Sequence, residues 1–156
     1  MNLKKEILRE YPMKLDNNRN NQIKEKERKY KTKVEAIDKE KVIKIAQQKL
    51  KYADREKMLA IFKKEKGYIL NVVSVGDLNS SLVHPREVLK PILIENVEKF
   101  FIAHNHPSGN IKATQADIDS TRRLIKAANL VGVKLVDHLV VGSGEGYFSL
   151  KEKELI

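Results

Sequence analysis

The chain of 156 residues contains no cysteine. Disulfide bonds, thiolate nucleophiles and cysteine-ligated zinc sites are therefore excluded, and any metal ion has to be held by histidine and carboxylate side chains. The sequence also lacks a run of about 20 apolar residues, the length that spans a bilayer, and its charged N-terminus does not look like a signal peptide. We therefore expect a soluble, cytoplasmic protein without a membrane partner.

Positive charge is unevenly distributed along the chain, whose formal net charge is +10. Residues 1–55 hold 17 lysines and arginines against 9 acidic residues, whereas residues 56–156 hold 14 against 12. A basic segment can attract nucleic acid or another polyanion. Acidic and basic residues are interleaved at residues 24–33, however, which favours a solvated leader. We predict a basic, polar and flexible leader at residues 1–37 and a folded domain at residues 38–156.

Hydrophobic periodicity predicts an α/β domain. Apolar residues recur at helical spacing over residues 38–53, and two apolar runs on either side of residues 63–67 are typical of a β-hairpin. A helix is predicted to begin after His84, with a kink or a short first segment at Pro91. The elements predicted after it are a strand at residues 99–103, a helix at 115–130, a strand at 133–141 interrupted by Asp137 and His138, and a strand at 147–150. This order predicts a mixed β-sheet flanked by helices.

Two histidines follow the apolar run at residues 100–103. His104 and His106 are two positions apart, and such residues point to the same side of an extended chain, so their imidazoles can converge on one point. Asp117 lies in the first turn of the next predicted helix and can reach back to them. Two imidazoles and one carboxylate leave one position of a tetrahedral Zn²⁺ open for water, as in catalytic zinc sites.

The aspartate also has a purely structural interpretation. Thr114 and Asp117 have the spacing of a capping box, in which the two residues satisfy each other's backbone N–H groups at the start of a helix. Single histidines at strand ends are usually structural or solvated. A pair of them next to an aspartate at a helix start favours a metal site instead.

The stretch His104-Asn105-His106-Pro107-Ser108-Gly109, followed by Asp117, resembles the signature of the RadC-like branch of the JAB/MPN (JAMM) metalloprotein superfamily. The resemblance extends to residues 78–88 and 132–142 and covers about residues 38–151. It implies a JAB/MPN core, which is similar to the fold of cytidine deaminases. The deaminase activity itself is excluded, because it needs a pair of cysteines.

The resemblance also implies roles for individual residues. His104, His106 and Asp117 are expected to bind one Zn²⁺ per chain. Thr114 occupies the position where the family usually has serine, and its hydroxyl is expected to hydrogen-bond the developing oxyanion.

The family pattern further includes an upstream glutamate that acts as the general acid and base. Glu56 is the best candidate, because it directly precedes the first predicted core strand. Glu65 in the predicted hairpin turn and Glu87 at a predicted helix start are the alternatives, and Glu56 also has the simpler interpretation of a solvated residue in a charged stretch.

The function that the resemblance implies is a zinc-dependent metallopeptidase or isopeptidase, with a protein or peptide as substrate. The alternative is a non-enzymatic accessory protein, linked to DNA repair, that binds DNA or a protein partner through the basic N-terminal arm.

Overall fold

The computed structural model describes residues 37–76 and 84–156. Their five strands form a mixed sheet in the order β2-β1-β3-β4-β5, in which β3 and β4 are parallel and the other neighbours are antiparallel. The α/β class predicted from the sequence is confirmed. The elements are α1 (Lys39–Leu50), β1 (Glu56–Lys64), β2 (Gly67–Gly76), α2 (Pro85–Ile94), β3 (Lys99–Asn105), α3 (Gln115–Leu130), β4 (Lys134–Val141) and β5 (Tyr147–Ser149).

Strand alternation divides the core into two layers, one on each face of the sheet. Met58, Ala60 and Phe62 of β1 pack in the layer that contains α2 and α3, whereas Leu59 and Ile61 pack with α1. Burying one large apolar side chain contributes about 1.5–3 kcal/mol. A slip of one residue would exchange the two faces, so these residues fix the orientation of β1.

The helices begin where local capping signals predict. Asp38 is the N-cap of α1, and its carboxylate accepts hydrogen bonds from two backbone N–H groups of the first turn. His84 caps α2, whose first residue is Pro85. This helix continues through Pro91 to Ile94, so the short first segment predicted from Pro91 is not observed.

The prediction that β4 is interrupted at Asp137 and His138 is wrong. The strand is continuous but contains a β-bulge, because Val136 is an extra residue where the register with β3 shifts between Phe100 and Phe101. Beyond the bulge the alternation of β4 is reversed. His138 pairs with Ile102 of β3, on the α3 face of the sheet, and Asp137 points to the opposite face.

The buried carboxylate of Asp137 is satisfied by charge and hydrogen bonds. Its Oδ2 atom lies 2.6 Å from Nζ of Lys39 and accepts a bond of 2.6 Å from the hydroxyl of Ser149. Its Oδ1 atom accepts from the backbone N–H groups of His138 and Lys151. Two polar residues inside an apolar strand therefore mark interior hydrogen bonding and not the end of the strand.

Several predictions fall on residues that the structure does not describe. The predicted leader lies at residues 1–37, of which only residue 37 is described, and residues 78–83 of the stretch 78–88 that resembles the family also lie outside the described residues. The domain boundary therefore stays a prediction. Within the described residues, no helix has both the length and the apolar character needed to cross a membrane.

Candidate metal centre

The two histidines of the motif converge as the strand geometry predicts. His104 is the next to last residue of β3 and is completely buried, and His106 follows the strand and is 7% exposed. Their Nε2 atoms lie 3.0 Å apart. The alternation of β3 places His104 on the same face as Phe100 and Ile102, which is the face covered by α2 and α3.

A tight turn after β3 fixes the ring of His106. The N–H of Gly109 donates to the carbonyl oxygen of His106 at 2.9 Å, with Pro107 inside the turn and Gly109 at a φ of 78° that favours glycine. The Nδ1 atom of His106 lies 2.7 Å from the carbonyl oxygen of Asn110. A carbonyl oxygen only accepts, so Nδ1 carries a hydrogen and donates it. In the neutral ring, the lone pair is then on Nε2, which faces His104.

Asp117 forms the predicted helix cap and also faces the two histidines. Its Oδ2 atom accepts hydrogen bonds of 2.7 Å from the backbone N–H and from the hydroxyl of Thr114, and its own N–H donates to that hydroxyl at 3.2 Å. The capping box is therefore formed. The same carboxylate faces the histidines, with Oδ1 at 3.4 Å from Nε2 of His104 and Oδ2 at 3.5 Å from Nε2 of His106.

The spacing of these three groups fits a tetrahedral metal ion. Bonds of 2.0–2.1 Å at the tetrahedral angle place neighbouring ligand atoms about 3.3 Å apart. The two Nε2 atoms are 3.0 Å apart, and each lies 3.4–3.5 Å from a different carboxylate oxygen of Asp117, Oδ1 for His104 and Oδ2 for His106. With one ligand atom from each residue, all three atoms lie within 4.8 Å of one another. Nitrogen lone pairs and a carboxylate held this close repel one another unless a cation or a proton lies between them. The cluster could therefore hold a metal ion.

Two of the three groups, His104 and Asp117, have the deprotonated state that metal binding requires. Burial lowers the pKa of His104 to about 4, against the opposing effect of the Asp117 charge, so this ring is neutral at pH 7. Burial would raise the pKa of Asp117, but hydrogen bonding to His106 and to Thr114 holds it well below its usual range. The Asp117 carboxylate in turn raises the pKa of His106. A metal ion thus competes with a proton mainly at His106.

Glu56, the predicted general base, is the first residue of β1. In the antiparallel pairing of β1 with β3, Met58 lies opposite His104, so Glu56 on the same face falls at the level of His106. It is half-buried, and burial raises its pKa, as does the negative charge of Asp117, while His106 lowers it. The pKa of Glu56 thus depends on two of the three clustered residues, His106 and Asp117.

The two alternative glutamates lie elsewhere. Glu65 occupies the turn at the far end of β1, nine positions and about 30 Å along the strand from Glu56. Glu87 is exposed in the first turn of α2, where a carboxylate complements the helix dipole. The structure thus places Glu56, and not Glu65, next to the cluster. The catalytic role of Glu56 stays a prediction.

Thr114 is exposed, and the hydrogen of its hydroxyl is directed at Asp117 in this structure. Its expected bond to an oxyanion would require this hydrogen to turn away from the carboxylate. The role of Thr114 as an oxyanion donor therefore also stays a prediction.

Asn105, between the two histidines, was not selected from the sequence. Its side-chain oxygen accepts from the N–H of Lys57 at 2.9 Å, and its amide nitrogen donates to the carbonyl of Arg55 at 3.0 Å. These two backbone groups stand on either side of Glu56. Asn105 therefore fixes the main chain that presents Glu56, a role that its position in the motif alone does not reveal.

His138 is not among the site residues predicted from the sequence, and the structure places it in direct contact with His104. The Nε2 atom of His138 lies 2.7 Å from Nδ1 of His104. The side chain of Asp137 points to the other face of the sheet, where it contacts Lys39. The bulge at Val136 produces this arrangement, and a bulge has no local sequence signal here.

Comparison with known proteins gives a family match for the domain described above. Residues 36–155 match a family model described as a RadC-like JAB domain. Relatives include a UPF0758 protein of Moorella thermoacetica, 43% identical over 109 residues, or 69% of this chain and 47% of the relative. Another is the UPF0758 protein TTE0897 of Caldanaerobacter subterraneus subsp. tengcongensis, 38% identical over 116 residues, or 73% of this chain and 49% of the relative.

The chain spans about half the length of the curated relatives that it matches. The family match nevertheless covers all the strands and helices described above, together with the three clustered side chains. On the combined strength of this match, the mixed sheet and the two-histidine, one-aspartate cluster, the chain belongs to the RadC-like JAB domain family.

Proposed function

We propose that this domain is a zinc-dependent hydrolase that cleaves an amide bond in a protein or peptide, as a metallopeptidase or isopeptidase. The observation that carries the proposal is the convergence of two imidazole nitrogens and one carboxylate, in which one ligand atom from each of the three residues lies within 4.8 Å of the other two. Zinc bound there would lower the pKa of a coordinated water toward about 7 and polarise the substrate carbonyl.

The ligand set favours zinc over other common metal ions. Mg²⁺ and Ca²⁺ prefer oxygen ligands, whereas two of the three donors here are imidazole nitrogens. Three protein ligands leave a tetrahedral ion one free position, which is the arrangement of catalytic zinc sites. The partial exposure of Asp117 leaves a route for solvent and substrate to this side of the cluster.

Glu56 is the proposed general base and acid. A carboxylate with a raised pKa is a better proton acceptor at neutral pH than an ordinary one. Its Oε atoms would take a proton from water in the site and later deliver it to the leaving nitrogen. Thr114 would donate its hydroxyl hydrogen to the oxyanion of the tetrahedral intermediate.

Metal content is the first test. The full chain, purified without a tag, is expected to contain about one zinc ion per molecule after reconstitution and dialysis. His104→Ala and Asp117→Asn are expected to lose this zinc. Wild-type protein that takes up no zinc would refute the proposal.

Hydrolysis is tested next, by incubating zinc-loaded protein with a peptide library and with isopeptide-linked substrates. Glu56→Gln should retain zinc but lower kcat by about 10²–10⁴-fold, the usual contribution of general acid–base catalysis. Glu65→Gln and Glu87→Gln are matched controls and should retain activity. Equal losses in all three variants, or none in Glu56→Gln, would contradict the proposed base.

A second candidate function rests on the charge of the N-terminal segment, where residues 1–55 hold 17 basic residues against 9 acidic ones. In this proposal the segment binds DNA by contacts to phosphates. Fluorescence anisotropy should then show binding that weakens with salt, and replacing Lys29, Lys31 and Lys33 by glutamine should reduce the salt slope by up to about 0.9 for each lost phosphate contact. Binding without salt dependence would refute it.

A further inference from the structure

A continuous series of hydrogen bonds connects His104 to the backbone of Asp117 through two other buried side chains. Nδ1 of His104 lies 2.7 Å from Nε2 of His138, and Nδ1 of His138 lies 2.6 Å from Oγ1 of Thr121. Oγ1 of Thr121 lies 2.5 Å from the carbonyl oxygen of Asp117. The three side chains are each at most 1% exposed, so water does not replace any of these bonds.

The carbonyl oxygen of Asp117, at one end of the series, decides which atom is the donor in every hydrogen bond. The carbonyl oxygen of Asp117 can only accept, so the hydroxyl of Thr121 must donate its single hydrogen to it. Oγ1 of Thr121 is then an acceptor toward His138, and Nδ1 of His138 carries the hydrogen. The opposite direction would place two oxygen atoms 2.5 Å apart with no hydrogen between them.

The same reasoning assigns the donor and acceptor nitrogens of His138 and His104. A fully buried neutral imidazole that donates from Nδ1 accepts at Nε2, so His138 accepts the hydrogen bond from Nδ1 of His104. With its hydrogen on Nδ1, His104 has its lone pair on Nε2. That atom is the one that lies 3.0 Å from His106 and 3.4 Å from Asp117.

We propose that His138 and Thr121 are positioning residues of the metal site, which hold His104 in the tautomer and ring orientation that can bind a metal ion through Nε2. The inference rests on the zinc site proposed above. Outer hydrogen-bond partners of this kind orient ligand histidines in metal sites, and their loss typically costs 10–100-fold in metal affinity.

The two ligand histidines thus reach the same tautomer by different means. His106 donates to the carbonyl of Asn110, four residues away in its own turn. His104 depends on His138, a residue 34 positions later in the chain. Because the series ends at the backbone of Asp117, the third ligand also sets the tautomer of the first.

Zinc affinity of the full chain, measured by competition with a chromophoric chelator, tests the proposal. Thr121→Val replaces the hydroxyl by a methyl group of similar size and should lower zinc affinity by about 10–100-fold. Thr121→Ser keeps the hydroxyl and should bind zinc within about threefold of the wild type. Ser120→Ala is the matched control, because Ser120 donates to the same Asp117 carbonyl at 3.0 Å, and we expect its affinity to be unchanged.

The histidine tautomers provide a second readout, which would not change if Thr121 and His138 only stabilised the fold. In metal-free wild-type protein labelled with ¹⁵N histidine, long-range ¹H–¹⁵N spectra should show hydrogen on Nδ1 of both His104 and His138. In Thr121→Val, both rings should shift toward the tautomer with hydrogen on Nε2. The wild-type spectrum is decisive even if Thr121→Val does not fold.

Two results would overturn the inference: wild-type His138 with its hydrogen on Nε2, or Thr121→Val with wild-type zinc affinity. A failure of the zinc proposal has a different outcome, because the wild type then takes up no zinc while the tautomers are still read from the metal-free protein. The two failures are therefore distinguishable.

Discussion

The carboxylate of Asp117 caps a helix and is also a proposed metal ligand, and two substitutions should separate these roles. Thr114→Ala removes the hydroxyl that accepts from the N–H of Asp117, but leaves the carboxylate and the histidines in place. Asp117→Asn keeps an oxygen that can accept from the N–H of Thr114, but removes the negative charge from the site. The first change damages the helix cap, and the second damages the metal site.

The expected magnitudes follow from these contacts. Loss of the N-cap side chain in Thr114→Ala costs about 1 kcal/mol, within a range of about 0.5–2. For a domain of this size that is a fall of about 3–6 °C in Tm. In the metal-free protein, Asp117→Asn loses the favourable charge at the helix N-terminus, about 0.3–1 kcal/mol, and the charge contact with His106.

Zinc affinity should separate the two variants. Asp117→Asn removes a charged ligand, so we expect a loss of more than about 100-fold, beyond the range seen for outer hydrogen-bond partners. Thr114→Ala should lose no more than about tenfold, because the backbone N–H of Thr114 still holds the carboxylate.

The assays are thermal unfolding in the presence of a chelator and zinc competition titration on the same protein preparations. If Asp117→Asn binds zinc as tightly as the wild type, the carboxylate is a helix cap and not a ligand. If Thr114→Ala loses as much zinc affinity as Asp117→Asn, the two functions cannot be separated in the way that we derive.

Two further predictions concern stability. Because the folded state raises the pKa of Glu56 above its ordinary value of 4.5, the contribution of this group to stability is present at low pH and is lost as the pH rises through the folded pKa. Metal-free Glu56→Gln should therefore melt at a higher temperature than the wild type at pH 7, with a difference that disappears below about pH 4.5; a lower Tm at pH 7 would contradict this. Lys39→Met leaves the buried charge of Asp137 without its cation and should lower the free energy of unfolding, measured in urea, by about 1–3 kcal/mol. This is less than the about 3–5 kcal/mol typical of a broken buried ion pair, because Lys39 is partly exposed. The control Lys41→Met loses only an exposed contact of 4.0 Å to Asp38 and should cost less than about 0.5 kcal/mol, so equal losses would refute the argument.

Local signals in the sequence were sufficient for most helix boundaries. The predicted span of α3 matches the observed Gln115–Leu130, because Thr114 caps its start and Gly132, at a φ of 77°, follows its end. The strand β3 runs two residues longer than predicted, to Asn105. His104 and Asn105 are polar, and their strand conformation depends on pairing with β1 and β4, which periodicity does not reveal.

The choice among three glutamates required the register of the sheet. Sequence order alone left Glu56, Glu65 and Glu87 open. The antiparallel pairing of Met58 with His104 places Glu56 at the level of the cluster and Glu65 at the far end of the same strand. Register is a property of two strands that are more than 40 residues apart in the chain, and no local pattern in either strand contains it.

The sequence by itself determined the elements of the fold and the three side chains of the candidate metal site. His104 and His106 share a face because of strand alternation, and Asp117 reaches them because the next helix begins there; both are short-range consequences of backbone geometry. Only the tertiary structure placed His138 beside His104. One extra residue in β4, Val136, reverses which side chains face α3, and this bulge exists only in the pairing of β4 with β3. The hydrogen-bond partners of a buried polar group are set by such long-range pairing, which is why the sequence predicted the three clustered side chains but not the contact between His138 and His104.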